Sequence, residues 1–253
     1  MCRMFSKISF KETSPLNEML NCPYSLKYLS TQGRQPENPE LRGNHNDGCG
    51  MAFFENEKLK IEKRDKQHAW DKSYAEAVEK VSTKVFIGHN RLTVGGLQSN
   101  YDGTHPFYLT KGDKEFAFSH NGTIYNFMDE AKARNTSDSF VFMEKLLKEN
   151  TFNEEFVLRQ LKYIAEETDY SSMIGFLMTA DKLMVWRGFN DKDKEKFVNR
   201  DKYYTMFMQL NNEGVIFSSE PLDNGSWTLM PNFSYIIADV LPSQLNLRYG
   251  FIK

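Results

Sequence analysis

The sequence predicts an α+β layered fold, with two antiparallel sheets packed face to face and helices on the outside. Three observations carry this prediction. Short β-prone runs come first, helical periodicity clusters in the middle of the chain, and β-prone runs return afterwards. That order differs from the regular strand–helix alternation that builds a parallel sheet. No internal repeat or long linker interrupts the 253 residues, so residues 1–253 read as a single domain.

The strand-like runs fall at residues 50–54, 59–63, 85–89, 115–119, 173–179, 183–186, 203–210, 214–218 and 234–238. Turns at 55–57 and 180–181 join two pairs of them as hairpins. Apolar residues recur at helical spacing over 71–81, 137–149 and 153–167. The polar stretch 30–47, broken by Gly and Pro, reads as a surface loop and a candidate substrate lid. Mixed charges at 57–66 and 191–202 read as solvated faces and turns.

Composition narrows the function classes. Lys+Arg total 32 against 34 Asp+Glu, a net charge of −2, which argues against nucleic acid or an anionic membrane as a partner. Apolar residues make up 40%, with 20 Phe and 12 Tyr, enough for a substantial core. Arg3, Lys7 and Lys11 interrupt the start, so no secretory signal is expected. No apolar window reaches the ~18 residues of a membrane span, and a cytoplasmic location is expected. Three cysteines do not make a disulfide framework. The five histidines lack paired metal-ligand spacing, and Val94-Gly95-Gly96 lacks the lysine of a phosphate loop, so neither metal nor cofactor is expected.

Four segments carry candidate chemistry. Cys2 directly follows the initiator Met1, and removal of Met1 would leave a thiol and a free α-amine on one Cα. Their ordinary pKa values, ~8.5 and ~7.7–8.0, allow proton exchange near neutrality. Such a residue is a nucleophile with its own base. In Gly88-His89-Asn90-Arg91-Leu92-Thr93-Val94-Gly95-Gly96, Arg91 follows a buried-looking run, where it could grip a carboxylate or form a structural salt bridge. Asn121-Gly122 is a strong hairpin signal. The helix-like continuation after Ile124 instead suggests a strand-to-helix corner. There the Asn side-chain NH₂ and the Gly N–H could face a developing oxyanion. In Thr136-Ser137-Asp138-Ser139, Asp138 or a neighbouring Ser is a helix N-cap candidate, or Asp138 holds a cationic amine. Cys49 reads as a small buried residue, and His89 and His120 as packing or hydrogen-bonding residues.

Taken together, these segments resemble the class II glutamine amidotransferases of the N-terminal-nucleophile hydrolase superfamily, in particular the short standalone type. The resemblance rests on the Met-Cys-Arg start, on His45-Asn46-Asp47-Gly48-Cys49-Gly50, on His120-Asn121-Gly122 and on Ser219-Glu220-Pro221-Leu222. It implies a four-layer αββα sandwich. It also implies that Cys2 attacks the γ-carboxamide of glutamine and forms a γ-glutamyl thioester, while Asn121 and Gly122 form the oxyanion hole. Arg91 and Asp138 would bind the α-carboxylate and α-ammonium, with backbone contacts from Thr93 and Val94. This sequence departs from the family pattern in Leu92-Thr93-Val94 after Arg91, in Phe140 two residues after Asp138, and in Cys49.

The reaction implied is glutaminase chemistry, releasing glutamate and ammonia. With no room for a synthase domain in 253 residues, ammonia would pass to a separate ammonia-accepting synthase or be released. A γ-glutamyl peptide or conjugate is the alternative substrate. An N-terminal-cysteine acylase acting on other amides would not need the Arg91–Asp138 pair. A catalytically silent interaction subunit would not need Cys2 with Asn121-Gly122.

Overall fold

The computed structural model describes residues 2–93, 101–191 and 199–253. In chain order its elements begin with β1 (Arg3–Thr13), a single π turn (Asn17–Asn21), α1 (Leu26–Gln32), β2 (Gly33–Arg34), β3 (Arg42–Gly43), β4 (Gly48–Glu55) and β5 (Lys58–Asp65). There follow α2 (Lys72–Glu79), β6 (Thr83–Asn90), β7 (Phe107–Lys111), β8 (Lys114–Ile124), α3 (Met128–Ala133), α4 (Asp138–Leu146) and α5 (Glu154–Glu167). The last are β9 (Tyr170–Met178), β10 (Lys182–Arg187), α6 (Arg200–Tyr203), β11 (Phe207–Leu210), β12 (Gly214–Ser218), β13 (Thr228–Leu229), β14 (Ser234–Val240) and β15 (Leu245–Phe251).

The first sheet has the order β13-β11-β12-β1-β6-β4-β5 and the second β15-β14-β10-β9-β8-β7; every pairing is antiparallel. Side chains alternate along each strand, so each sheet has two apolar faces to cover. Met4, Ile8, Val85 and Ile87 of the first sheet meet Ile174, Phe176 and Val185 of the second in the central core. On the outer face of the first sheet, Phe5, Met51 and Phe86 pack against Leu26, Leu29, Tyr74 and Val78 of α1 and α2. On the outer face of the second, Phe118, Leu177 and Trp186 pack against Phe142, Leu146, Leu161 and Ile164 of α4 and α5. The result is the expected four layers, αββα. It also explains why β9 reads as a continuous apolar run: all nine of its residues are buried.

Local signals place the helices. Side chains of Ser25, Asp71, Ser137 and Asn153 accept hydrogen bonds from the first-turn N–H groups of α1, α2, α4 and α5. The β4–β5 hairpin turns through Asn56 and Glu57, both at positive φ, the geometry that matches strand twist.

Several expectations are corrected. β8 does not end at Ser119 but runs through Asn121 and Gly122 to Ile124, pairing with β9, and the corner into helix comes at Tyr125–Phe127. Residues 203–210 are not one strand, since Tyr203 closes α6 and β11 starts at Phe207. The stretch 30–47 is not wholly loop, because it includes the end of α1 and the β2–β3 ribbon. Of Asp138 and its serine neighbours, Ser137 is the cap of α4 and Asp138 is its first residue. Among the described residues, no helix is long and apolar enough to cross a membrane.

Candidate active site

The site lies where the start of β1 and the end of β6, in the first sheet, face β8 of the second. Arg3 pairs with Asn90 across β1 and β6, so Cys2 and Arg91 leave adjacent strands at the same end of the sheet. Cys2 is 8% exposed, and its thiol faces the Leu92 carbonyl at 4.0 Å. Its backbone nitrogen donates to Asn121 Oδ1 at 3.0 Å, which ties the two sheets together at the candidate nucleophile.

That hydrogen bond orients the Asn121 amide. With Oδ1 engaged by Cys2, the Nδ2 group is buried and has no hydrogen-bond partner. A buried donor without an acceptor costs about 1–3 kcal/mol, recovered when an acceptor arrives. Gly122 beside it has φ +153, and a Cβ there would lie 1.8 Å from the Ser172 carbonyl oxygen. Only glycine lets β8 pass that close to β9. His120 anchors the same segment, its ring nitrogens contacting Ser139 Oγ at 2.9 Å and the Ser172 carbonyl at 3.1 Å. Burial holds the His120 imidazole below its ordinary pKa, which suits a hydrogen-bonding role.

Arg91 is 6% exposed, and its backbone is pinned by hydrogen bonds with Gly48 and Asp47. Burial lowers its pKa, while the Cys2 thiol, Asp47 and Asp138 oppose that shift. The guanidinium therefore lies within the field of the nucleophile and of both carboxylates. Thr93 donates its N–H to Asp47 Oδ2 at 2.9 Å. Asp138, buried at the start of α4, accepts from Ile124 N–H at 2.9 Å and so pins the end of the strand that carries Asn121 and Gly122. Thus Cys2, Arg91, Thr93, Asn121, Gly122 and Asp138 belong to one neighbourhood. Val94 lies outside the described residues.

The other two cysteines are different. Burial pushes the Cys22 and Cys49 thiols up to about 12, so they stay protonated and pack in the core under the first sheet.

Sequence reasoning missed the support around Cys2. Arg3 is fully buried, with Nη2 donating to the Arg34 carbonyl at 2.8 Å and its guanidinium 4.6 Å from the Tyr203 ring centroid. Its Nε lies 2.8 Å from Glu220 Oε1, an ion contact rather than an aligned hydrogen bond. Glu220 also accepts from Arg34 N–H at 2.7 Å and from Arg42 Nη1 at 2.5 Å. One buried carboxylate thus joins β1 to both strands of the β2–β3 ribbon. Asp47 was missed as well, although it falls inside the His45–Gly50 motif; the signal was present but carried no role.

The model of the class II glutamine amidotransferases matches residues 28–186. An uncharacterized protein of Methanocaldococcus jannaschii is 25% identical over 213 residues, which cover 74% of this chain and 59% of that protein. Glutamine phosphoribosylpyrophosphate amidotransferase from B. subtilis, complexed with ADP and GMP, superposes with a TM-score of 0.67 at 13% identity. That match covers 100% of this chain and 49% of the B. subtilis chain. A glutamine aminotransferase class-II domain protein from Silicibacter pomeroyi gives 0.60 at 15% identity, covering 98% of both chains. The chain therefore spans about half the length of the B. subtilis enzyme and 59% of the archaeal protein. Because the family match extends over more than half of the 253 residues, on a sheet pair of the same fold, this chain belongs to the class II glutamine amidotransferases.

Proposed function

We propose that the protein hydrolyses the γ-carboxamide of glutamine through a γ-glutamyl thioester on Cys2. The observation that carries this reading is the Cys2 N–H···Asn121 Oδ1 bond with Asn121 Nδ2 left unpartnered beside it. A donor held in that way is preorganised for negative charge that appears only in the transition state.

In this mechanism Met1 is first removed, so that the Cys2 nitrogen becomes an amine. The amine takes the thiol proton, and the thiolate attacks the carboxamide carbon. The carbonyl electron pair moves onto oxygen, where Asn121 Nδ2 and the Gly122 N–H receive it. Collapse breaks the C–N bond, and the ammonium of Cys2 returns its proton to the leaving nitrogen as ammonia departs. Water then adds to the thioester, the amine taking its proton, and glutamate leaves with the thiol restored. Arg91 holds the α-carboxylate and Asp138 the α-ammonium, a fixed cation and a fixed anion for a zwitterionic head. Thr93 lies beside them.

The test is intact mass spectrometry after exposure to 6-diazo-5-oxo-norleucine, a glutamine analogue that alkylates a reactive thiol. Loss of Met1 with one adduct, mapped to Cys2, is expected. A chain that retains Met1 and takes no adduct refutes the mechanism, because an acylated nitrogen is no base.

A further inference from the structure

A cavity of about 590 Å³ opens beside the site, with Lys63 and Asp102 among the residues that line it. Lys63 projects from β5, opposite Gly50 of β4, and is only 9% exposed. Its ammonium lies over the rings of Tyr101 and Phe107, at 5.4 and 5.2 Å from their centroids. Among the described residues it has no hydrogen-bond acceptor and no carboxylate within ion-pair distance. Two aromatic faces are a weak substitute for the hydration an ammonium loses on burial. Burial lowers its pKa to about 8, with Asp102 opposing and Arg91 adding to the effect.

The neighbouring imidazoles of His89, His105 and His120 are held neutral by burial, so they offer Lys63 no charge partner. His105 is buried, meets Phe107 edge-on at 4.5 Å, and among the described residues hydrogen-bonds through neither ring nitrogen. Burial, followed by the nearby His89, His120, Arg91 and Lys63, keeps its pKa well below the ordinary value. Ile61, Leu109 and Phe140 give the cavity an apolar wall, while Asp102, Thr110 and Thr136 line it as well. Phe140 and Thr136 flank Asp138, so the cavity adjoins the place proposed for the amino-acid head.

We propose that this cavity is an accessory anion subsite that takes a carboxylate carried on an apolar body, with the carboxylate on Lys63 and the body against Phe107 and Phe140. The anion assignment stands on the cavity alone. Attachment of that carboxylate to a glutamine substrate, as the C-terminal extension of a glutaminyl peptide, rests on the glutaminase reading above. The α-carboxyl of that glutamine is then an amide, whose carbonyl oxygen accepts from Arg91 while Lys63 takes the displaced carboxylate charge. The shared chemistry has a second source in a free carboxylate ligand, and the experiment separates the two.

The first arm measures calorimetric binding of 3-phenylpropionate to the wild type, Lys63→Met and Lys63→Arg. Binding by the wild type, weakened at least tenfold in Lys63→Met and largely kept in Lys63→Arg, is expected. Equal affinities in all three, or no binding by the wild type, overturn the proposal. If Lys63→Met does not fold, the wild type decides through the ¹³C-methylated lysine signal, whose titration midpoint must rise when the probe binds. Binding seen only in Asp102→Asn makes Asp102 the partner of Lys63 and overturns the proposal too. The second arm compares hydrolysis of glutamine with that of glutaminylphenylalanine. A loss in kcat/KM about tenfold larger for the peptide in Lys63→Met supports the subsite and assigns it to the substrate. Equal losses with the binding arm positive support it and assign it to a free ligand. If neither compound is hydrolysed, the glutaminase reading fails while the binding arm still decides the subsite.

Discussion

Glu220→Gln tests whether the support beneath Cys2 is electrostatic. The substitution keeps shape and one acceptor oxygen, so only one of Arg34 N–H, which donates to Oε1, and Arg42 Nη1, which donates to Oε2, retains a partner. What changes is the charge opposite Arg3, whose side chain is fully buried while that of Glu220 is 4% exposed. Removing one member of a buried pair typically costs about 3–5 kcal/mol, because the remaining charge has no solvent to turn to. The Arg34 carbonyl and the Tyr203 ring still contact Arg3, which favours the low end, about 3 kcal/mol. For a chain of this length each kcal/mol lowers Tm by about 2–4 °C, so a fall of about 6–12 °C is expected by calorimetry. Arg42→Ala is the control: its side chain is 46% exposed, and it should move Tm far less. Activity should fall with Glu220→Gln even below the transition, since Arg3 Nη1 also reaches the Cys2 carbonyl at 3.4 Å. A Tm within 2 °C of wild type would refute the reasoning and make the cluster a surface network that happens to be covered.

Three further outcomes are expected. Asn121→Ala should lower kcat by about 10²–10³-fold, the 2.7–4 kcal/mol of a lost oxyanion donor, whereas Arg91→Ala should act chiefly on glutamine KM; unchanged turnover of Asn121→Ala in steady-state assays removes the oxyanion assignment. Gly122→Ala, with its Cβ 1.8 Å from the Ser172 oxygen, should separate β8 from β9 and lower the urea midpoint, and a wild-type midpoint would count against that register. Burial holds His45 at about 2 and His89 at about 3, both below the ordinary 6.5, so the unfolded chain takes up these protons first. Their contribution to stability is complete above pH ~6.5 and is lost as pH falls toward the folded values, at up to about 1.4 kcal/mol per pH unit for each. Tm should therefore drop between pH 7.5 and 5.5, and a flat profile would mean that neither imidazole is buried neutral.

The parts of the fold that were legible are those whose burial is written in their own residues. Strands β4, β6, β9, β10, β12 and β14 carry apolar runs, β5 shows the alternation of a half-covered edge strand, and α2, α4 and α5 carry helical periodicity with a capping Asp, Ser or Asn in place. The central strand β1 was not legible as a strand, because Arg3, Ser6, Lys7 and Ser9 sit among its apolar residues and are all buried. Two of them are tolerated through partners elsewhere: Arg3 finds Glu220, and Lys7 finds Glu18 at 3.1 Å. Strand β15 failed for the opposite reason, being an exposed edge strand whose Tyr249 is 83% exposed and marks no core. The β8 error has a local cause. Asn-Gly normally announces a turn, but here Gly122 serves the close approach of β9, which no local pattern encodes.

The same distinction applies to the site. Cys2, Arg91, Asn121 and Asp138, which the structure brings into one neighbourhood, could be picked out as candidates because the proposed chemistry needs a particular functional group at a particular place in a motif. The residues that hold them were not, since holding can be done by many groups. Asp47 positions Thr93, Asp138 pins Ile124, and Glu220 gathers arginines from three segments. In the proposed mechanism Asp138 therefore does two things: it fixes the strand that carries Asn121 and Gly122 through one oxygen, and it faces the substrate head. Cys2 and Asn121 also belong to different sheets, joined at 3.0 Å and backed by the core that packs the sheets together. The geometry between the proposed nucleophile and the proposed oxyanion donor is thus set by how the two sheets pack. For that reason a chain only 13% identical to the B. subtilis enzyme can keep the same sandwich, since its core need only hold that spacing, whatever apolar side chains hold it.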